Sequence, residues 1–186
     1  MEIERSWILN PSKMSSKLWL YLEDRFLGHR VHTTAYLRAN DNFEIRVIKK
    51  EDLPHPLYYF TVKSGGTLSR QEYEQLIPEW VYEKLYETAS GEHIIRKTRY
   101  YIEYIDNDKE KYILELDRYQ DKNGKFTNKY RLECEFSSEE EANRFKLPPY
   151  FADMAVEVTN DNRFKNKNLA SNGWPSDYDN LFKKIR

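Results

Sequence analysis

Residues 130–136 read Tyr-Arg-Leu-Glu-Cys-Glu-Phe, a segment in which apolar and charged side chains alternate. Successive side chains of a β-strand point to opposite faces, so a strand here has one apolar face and one charged face. The apolar face comprises Tyr130, Leu132, Cys134 and Phe136, and the charged face comprises Arg131, Glu133 and Glu135. The alternation therefore predicts a strand with a carboxylate-rich side that needs partners.

The same alternation recurs in other parts of the chain. Residues 112–117 place Glu115 and Asp117 opposite apolar residues, and the first strand carries Glu2 and Glu4 on one face. A solvated outer face of an antiparallel sheet is the ordinary explanation for such a pattern. However, three strands each carry two carboxylates that lie two residues apart. Like charges in that arrangement repel each other, whereas a divalent cation prefers several oxygen ligands, so the repeated pairs favour a metal site.

Basic residues share faces of other predicted strands. Lys97 and Arg99 lie two residues apart, Glu44 and Arg46 share a face, and Lys63 lies on the polar face of its strand. Guanidinium and ammonium groups bind phosphate oxygens, and carboxylates bind metals. Helices that cover the apolar faces from outside would turn these charges inward. We therefore predict a barrel whose lumen has an acidic wall and a basic wall and holds a metal-bridged polyanion.

The chain is predicted to contain eight strands in mostly sequential hairpin order, with helices inserted between them. The strands are expected at residues 2–9, 31–37, 43–49, 57–63, 94–104, 111–118, 128–136 and 155–159. The helices are expected at residues 11–23, from Ser69, from Pro78 to Ala89, from Ser138 to before Pro148, and from Asp161 to Ala170. Eight antiparallel strands can close a barrel. The expected α+β fold has one domain over residues 1–170 and a tail over residues 171–186.

Short local patterns mark the turns and helix starts in this prediction. Ser69 followed by Glu72, and Ser138 followed by Glu141, have the spacing of a capping box. Asn123-Gly124 is the strongest hairpin sequence in the chain, because both residues tolerate the left-handed backbone that a tight turn requires.

The composition indicates a folded chain without a strong overall charge. It has 186 residues, of which 15% are aromatic and 33% charged, and its net charge is −1. The aromatic residues can build a core, and the small net charge gives no general attraction to nucleic acid or membranes. The single cysteine excludes an internal disulfide, and the N-terminus has no signal-peptide pattern. We expect a cytoplasmic protein that binds neither nucleic acid nor a membrane and is a monomer or homodimer.

The segment Glu2-Ile-Glu4 resembles the ExExK signature of the CYTH superfamily, the triphosphate tunnel metalloenzymes. The similarity continues through four further motifs in the order of that family. They are Lys97-Thr-Arg99-Tyr100, Glu115-Leu-Asp117, Leu132-Glu133-Cys-Glu135 and the segment from Glu157 to Ala170. On these five motifs, residues 1–170 are identified as a member of the family.

The resemblance implies an eight-stranded antiparallel tunnel with a C-terminal plug helix, which binds a small triphosphate compound with Mg²⁺ or Mn²⁺. The implied metal ligands are Glu2, Glu4, Asp117, Glu133 and Glu135, with Glu115 and Glu157 as further members. The implied phosphate-binding residues are Arg46, Lys63, Lys97, Arg99 and Arg131, of which Lys97 and Arg99 are also the implied catalytic residues. Arg70 and Glu72 match a further motif, for which a structural role is at least as well supported.

Two positions depart from the family pattern. The lysine of ExExK falls on Ser6, and the first arginine of an Arg-x-Arg pair in the third strand falls on Glu44. Two cations expected at the phosphate site are therefore absent, and each charge-assisted contact contributes about 1.5–3 kcal/mol. Arg131, or Lys165 and Lys167, could compensate, although a solvated helix face explains Lys165 and Lys167 equally well.

The sequence thus predicts a metal-dependent triphosphatase that hydrolyses tripolyphosphate, thiamine triphosphate or a nucleoside triphosphate. Two alternatives stay open. One is a catalytically weak protein that binds a nucleotide or polyphosphate, and the other is a class IV-type adenylyl cyclase. No short motif defines the tunnel mouth, so the substrate is not determined. The four histidines form no spaced set, and none is a candidate general base.

Overall fold

The computed structural model describes residues 2–51, 54–65, 68–89, 91 and 93–184. The strands in this part of the chain are β1 (Glu2–Leu9), β2 (Phe26–Asn40), β3 (Phe43–Glu51), β4 (Leu57–Gly65), β5 (Ser69–Leu76), β6 (Ile94–Ile105), β7 (Lys111–Gln120), β8 (Phe126–Glu135) and β9 (Ala155–Glu157). The α-helices are α1 (Ser16–Glu23), α2 (Glu79–Thr88), α3 (Glu139–Arg144), α4 (Pro149–Ala152), α5 (Asn166–Asn172) and α6 (Tyr178–Leu181). Short 3₁₀ turns cover Pro11–Lys13, Asn162–Phe164 and Phe182–Lys184.

Eight of these strands close into a barrel. The hydrogen-bonded order is β5-β4-β3-β2-β6-β7-β8-β1, and every pairing is antiparallel. The circle closes where Glu2 of β1 pairs with Arg70 of β5 and Ile3 pairs with Ser69. Strand β9 adds to β1 as a ninth strand. The predicted eight-stranded antiparallel barrel with flanking helices is therefore confirmed.

The helix predicted from Ser69 is wrong, because residues 69–76 form strand β5. The capping-box spacing between Ser69 and Glu72 is a local signal, whereas β5 pairs with β4 along its whole length and with β1 at its start. Register places Glu72 opposite Lys63 of β4, an attractive cross-strand pair. Cross-strand hydrogen bonds and barrel closure therefore prevail over the helix-start pattern.

Other local predictions hold with shifted boundaries. Ser138 caps α3, with its hydroxyl accepting a hydrogen bond from the Glu141 amide at 3.1 Å. Gly124 has a left-handed φ of +78° in the turn between β7 and β8, as its hairpin role requires. The helix predicted over 11–23 is a 3₁₀ turn followed by α1, and Asp161 caps a 3₁₀ turn rather than α5 itself. Among the described residues, no helix has the length and apolar character needed to cross a membrane.

The main apolar core lies outside the barrel wall, between the strands and the helices that cover them. Helix α1 contributes Leu22, and the segment around α3 and α4 contributes Ala142, Phe145 and Phe151. The strand residues of this core are Ile3, Trp7, Leu9, Ile102, Tyr112, Leu114, Leu116, Tyr130, Leu132, Cys134 and Phe136. Because alternate residues of each strand point the other way, the charged faces of these strands are turned into the barrel.

The C-terminal segment covers one end of the barrel, which we call the base. Leu169 of α5 packs on the inward-facing residues Tyr36, Ile95 and Tyr119. Next to it, the inward-facing Ile8 packs with a second apolar group. That group comprises Val158, Phe164, Tyr178, Phe182 and the partly buried Trp174. Residues 158–182 therefore close the base from within. Residues 185 and 186 of the predicted tail lie outside the described residues.

Candidate functional site

The barrel encloses a polar cavity of about 350 Å³. Its lining includes every charged residue that the sequence singled out as a ligand, except Asp117 and Glu157. These are Glu2, Glu4, Arg46, Lys63, Lys97, Arg99, Glu115, Arg131, Glu133 and Glu135. The cavity runs from Lys165 and Asn166 at the base to residues near the opposite rim, where Glu74 and Glu135 are exposed to solvent. The strand alternation thus brings together in one space side chains that are far apart in sequence.

Asp117 does not line this cavity but lies behind two of its cations. It is fully buried, and its Oδ1 accepts a hydrogen bond from Arg99 Nε at 2.7 Å. Its Oδ2 accepts from Arg99 Nη2 at 2.8 Å and from the ammonium group of Lys97. Asp117 therefore positions Lys97 and Arg99 toward the cavity instead of facing it.

The guanidinium group of Arg99 connects the carboxylates of β7 and β8. Besides Asp117, it forms ion pairs with Glu115 and Glu133. Burial alone would raise the pKa of Glu133, but the guanidinium groups of Arg131 and Arg99 hold it well below its usual value. For Glu115 burial prevails and raises its pKa to about 7, although Arg99 opposes the rise.

A second ion-pair group lies where the barrel closes. Lys63 Nζ lies 2.6 Å from Glu2 Oε1, and Arg70 Nη2 lies 2.5 Å from Glu4 Oε1. Lys63 also lies 3.2 Å from Glu72 on the neighbouring strand. Arg70 is not among the predicted phosphate-binding residues, because a helix from Ser69 would not turn its side chain into the barrel. In the strand it faces the cavity directly.

The predicted division into an acidic wall and a basic wall is wrong, because acids and bases alternate around the barrel. Register places Arg99 of β6 opposite Asp117 of β7, and Asp117 opposite Arg131 of β8. Each cation of the phosphate-binding set therefore already has a carboxylate partner. Since an unpaired buried charge is costly, this interleaving lets a highly charged lumen exist without a ligand.

The carboxylates fit a hard divalent cation in their chemistry, because Mg²⁺ and Mn²⁺ prefer oxygen ligands. Glu135 of β8 faces Glu4 of β1 in register and forms no ion pair with any described residue. Partial burial at the cavity mouth and the nearby charges of Glu2 and Glu4 raise the pKa of Glu135, so a cation bound there would relieve repulsion. Glu2 Oε2 is buried and accepts no hydrogen bond, although Arg70 Nε lies 3.1 Å away. Within the described ranges, no three acidic, histidine or cysteine side chains already converge on one metal position.

Several cavity residues were not predicted from the sequence. His32, Thr34 and Tyr36 line the cavity from β2, where alternating polar and apolar residues do not reveal which face turns inward. Burial, followed by the positive charges of Arg99 and Lys97, lowers the pKa of His32 far below its usual value. The imidazole is therefore neutral, and its Nε2 is buried without a hydrogen-bond partner among the described residues.

Arg5 and Glu157 lie on the outside of the barrel. Arg5 Nη2 lies 2.6 Å from Glu157 Oε2, and Arg5 Nη1 donates to the carbonyl oxygens of Ala142 and Phe145. Arg5 therefore points away from the lumen, as the alternation of β1 requires. Glu157 is exposed and engaged by Arg5, so its implied role as a metal ligand does not fit this structure.

The departures from the family pattern take defined positions. Ser6 is buried on the inward face of β1 opposite Glu133, and its amide donates to Thr159 Oγ1 at 3.1 Å. Lys165 and Lys167 are also buried, so a solvated helix face does not describe them. Lys165 lines the cavity, and the ammonium group of Lys167 donates to the Asn40 carbonyl oxygen.

Comparison with known proteins agrees with the barrel fold described above. No family model matches the chain. Over 113 residues the chain is 40% identical to the inorganic triphosphatase of Nitrosomonas europaea. The matched residues make up 61% of this chain and 68% of that relative. One similar solved structure is described as a putative adenylyl cyclase from Hippeastrum with a dominant triphosphatase activity. Its TM-score to this chain is 0.57 and its sequence identity is 16%, and the match covers 77% of this chain and 83% of that chain. A protein of Pyrococcus horikoshii OT3 has a TM-score of 0.53 and 19% identity over 77% and 84% of the two chains. The two solved structures share the barrel fold with this chain.

Proposed function

We propose that this chain, which belongs to the CYTH superfamily of triphosphate tunnel proteins, hydrolyses inorganic tripolyphosphate. The observation that carries the proposal is the cavity of about 350 Å³ in which Lys63, Lys97, Arg99 and Arg131 converge. Such a set of cations suits a compact, highly charged chain of phosphates. The similarity to a relative named inorganic triphosphatase favours tripolyphosphate over the thiamine and nucleoside compounds.

The phosphate chain would bind by taking the place of carboxylates at the cavity cations. Arg99 offers several N–H donors in a fixed fork, which suits two phosphate oxygens at once. Charge-assisted hydrogen bonds of this kind contribute about 1.5–3 kcal/mol each. Because Asp117 holds both Lys97 and Arg99 from behind, these two cations stay in position when the ligand enters. They would stabilise the charge that develops on the transferred phosphoryl group.

We also propose that the reaction depends on Mg²⁺ or Mn²⁺. The residues that would hold the metal are Glu2, Glu4, Glu133 and Glu135, with Glu115 as a further member. A bound divalent cation supplies charge neutralisation and lowers the pKa of a coordinated water. The exposed carboxylate of Glu135 beside Glu2 and Glu4 is the observation that favours a metal at this place.

The test is release of phosphate from a panel of substrates with and without each metal. Tripolyphosphate, thiamine triphosphate and the nucleoside triphosphates would be assayed with Mg²⁺, Mn²⁺ or EDTA, and both phosphate and pyrophosphate would be measured. We expect phosphate and pyrophosphate in equal amounts from tripolyphosphate, and no reaction in EDTA. Lys97→Met should abolish turnover, whereas Lys84→Met, on the exposed surface of α2, is the matched control. The absence of phosphate release from every substrate would refute the proposal.

A second candidate is a protein that binds a polyphosphate without efficient turnover. It is favoured by Ser6 and Glu44, which stand where the family places cations, and by the carboxylates that already occupy the remaining cations. It predicts calorimetric binding of tripolyphosphate without phosphate release, and Ser6→Lys should then raise hydrolysis. Cyclase activity is separated from both by the product, since ATP would yield a cyclic nucleotide and pyrophosphate but no free phosphate.

A further inference from the structure

Glu44 is a buried carboxylate at the base of the tunnel. It lies on β3 with its side chain turned into the barrel, and only 3% of its surface is exposed. Arg46 Nη1 lies 3.0 Å from its Oε1, and Lys63 is its register partner on β4. Burial would raise its pKa, but Arg46 and Arg70 hold the pKa below its usual value, so the group is ionised.

More cations surround Glu44 than one carboxylate can neutralise. Arg46, Lys63, Arg70 and Lys167 all act on its charge, and Lys165 is itself influenced by it. Three of these cations share carboxylate partners elsewhere, since Lys63 and Arg70 contact Glu2 and Arg46 lies 3.9 Å from Glu72. Lys165 has no ion pair with any described residue. The Glu44 carboxylate thus lies at the centre of a group whose donors suit an anion of higher charge.

Glu44 borders two spaces. It lines the main cavity of about 350 Å³ and a small cavity of about 10 Å³. Lys63, Arg70 and Lys165 line both spaces, and Lys167 lines the small one. A carboxylate and a terminal phosphoryl group offer the same cations equivalent oxygen acceptors. Within the described residues, the Glu44 side chain therefore stands where the row of cations continues past the end of the main cavity.

We propose that the Glu44 carboxylate occupies the innermost phosphoryl subsite of the tunnel and thereby limits it to short phosphate chains. The inference rests on the proposed function in one respect, that the cavity binds a phosphate chain. The carboxylate supplies an internal anion among these cations. A longer phosphate chain must displace it, which would leave the Glu44 carboxylate buried without its cationic partners.

The experiment measures binding of pyrophosphate, tripolyphosphate and tetrapolyphosphate by calorimetry at low ionic strength in EDTA, with the samples assayed afterwards for released phosphate to verify that each ligand stayed intact. Wild-type protein should bind tetrapolyphosphate no more tightly than tripolyphosphate. Glu44→Ala removes the internal anion and opens its space, so tetrapolyphosphate should bind at least tenfold more tightly than tripolyphosphate. Glu74→Ala is the matched control, because it removes another cavity carboxylate, one that pairs with Lys50. An unchanged ratio in Glu44→Ala, or an equal change in Glu74→Ala, would overturn the proposal.

A second measurement covers the case in which Glu44→Ala is unstable, since it leaves buried cations without a partner. Orthophosphate should then raise the melting temperature of Glu44→Ala and of Glu44→Gln more than that of the wild type. Equal shifts in all three proteins would mean that Glu44 is only a structural counter-ion. The two hypotheses can fail separately. If the wild type shows no turnover but Glu44→Ala binds tetrapolyphosphate more tightly than tripolyphosphate, only the proposed function is refuted. If turnover is normal and Glu44→Ala leaves the ratio of the two affinities unchanged, only the role of Glu44 is refuted.

Discussion

Lys165 is predicted to take up a proton when a phosphate chain binds. Its side chain lies at the base of the cavity, and burial, followed by the charges of Arg70 and Lys167, lowers its pKa from 10.5 to about 8. A bound polyanion would compensate for both effects and return the pKa toward its ordinary value. Lys165 is only 9% exposed, so solvent screens these effects weakly.

The size of this effect follows from the two pKa values. At pH 9 a group of pKa about 8 is about one-tenth protonated, whereas a group of pKa 10.5 is almost fully protonated. Binding should therefore take up about 0.9 proton from Lys165. A shift of about 2.5 pKa units corresponds to about 3.4 kcal/mol of coupling between the proton and the ligand. Accordingly, the affinity contributed by this residue should fall by up to about tenfold per pH unit above pH 8.

The assay is calorimetry of tripolyphosphate binding at pH 9 in two buffers that differ in ionisation enthalpy. Lys165→Arg keeps the positive charge at every accessible pH, because an arginine does not lose its proton in proteins. We expect Lys165→Arg to retain binding while its proton uptake is lower by about 0.9 than that of the wild type. Lys165→Met should lose both the uptake and part of the affinity. Equal uptake in all three proteins would refute the reasoning and assign the proton to another group.

The same shift has a consequence for stability without ligand. The folded state binds the Lys165 proton less tightly than the unfolded state does. Protonated Lys165 therefore lowers the free energy of unfolding, and this loss of stability is present in full below pH 8. Stability contributed by this residue therefore rises with pH between about 8 and 10.5. Lys165→Met should unfold at a higher urea concentration than the wild type at pH 7 and lose that advantage above pH 10. A variant that is less stable at pH 7 would contradict the assigned direction of the pKa shift.

Three further predictions concern the scaffold of the site. Arg99→Met leaves its buried carboxylates without their shared partner, so urea unfolding should show a loss of about 3–5 kcal/mol at pH 7, with turnover lost even where the variant is folded. Glu157→Gln removes the charge of an exposed ion pair with Arg5, so it should lower the free energy of unfolding by less than about 1 kcal/mol and leave the metal dependence of phosphate release unchanged. Loss of the metal dependence would instead mean that Glu157 is a metal ligand. Tyr178→Phe removes a buried hydrogen bond of 2.9 Å to the Leu9 carbonyl oxygen at the base. Urea titrations should show a free energy of unfolding that is lower by about 1 kcal/mol, and an unchanged value would mean that this hydrogen bond does not stabilise the base.

The sequence was informative where a pattern is local. In β8 and β7 the two faces differ so strongly that period-two alternation alone predicts which residues turn inward, and Arg131, Glu133 and Glu115 lie in the cavity as expected. It failed at β5, where the pairing partners are residues 2–3 and 59–65 and a helix-start pattern is the only local signal. The strand conformation of β5 depends on pairing with segments that are distant in sequence, so the segment itself does not reveal it.

The base of the tunnel was predicted only in part. A helix is expected over residues 161–170, and α5 spans Asn166–Asn172. Trp174, Tyr178 and Phe182 also pack at the base, although the sequence places them in a tail without assigned structure. Alternation correctly put Glu44 on the face of Arg46. It could not reveal that Lys165 and Lys167 would arrive there from the other end of the chain, so a simple loss of one cation was expected where the structure has an anion among several.

The interleaved charges predict how the proposed phosphate chain and the proposed metal would affect each other's binding. A polyphosphate that entered alone would take Lys63 and Arg70 from Glu2 and Glu4 and leave those carboxylates unpaired in a confined space. A metal that entered alone would take the carboxylates and leave the cations unpaired. Breaking one half of a buried ion pair costs about 3–5 kcal/mol, whereas exchanging both halves keeps every charge compensated. The ion pairs of Glu2 and Glu4 with Lys63 and Arg70 therefore favour simultaneous binding, and each ligand should strengthen the binding of the other by the same factor.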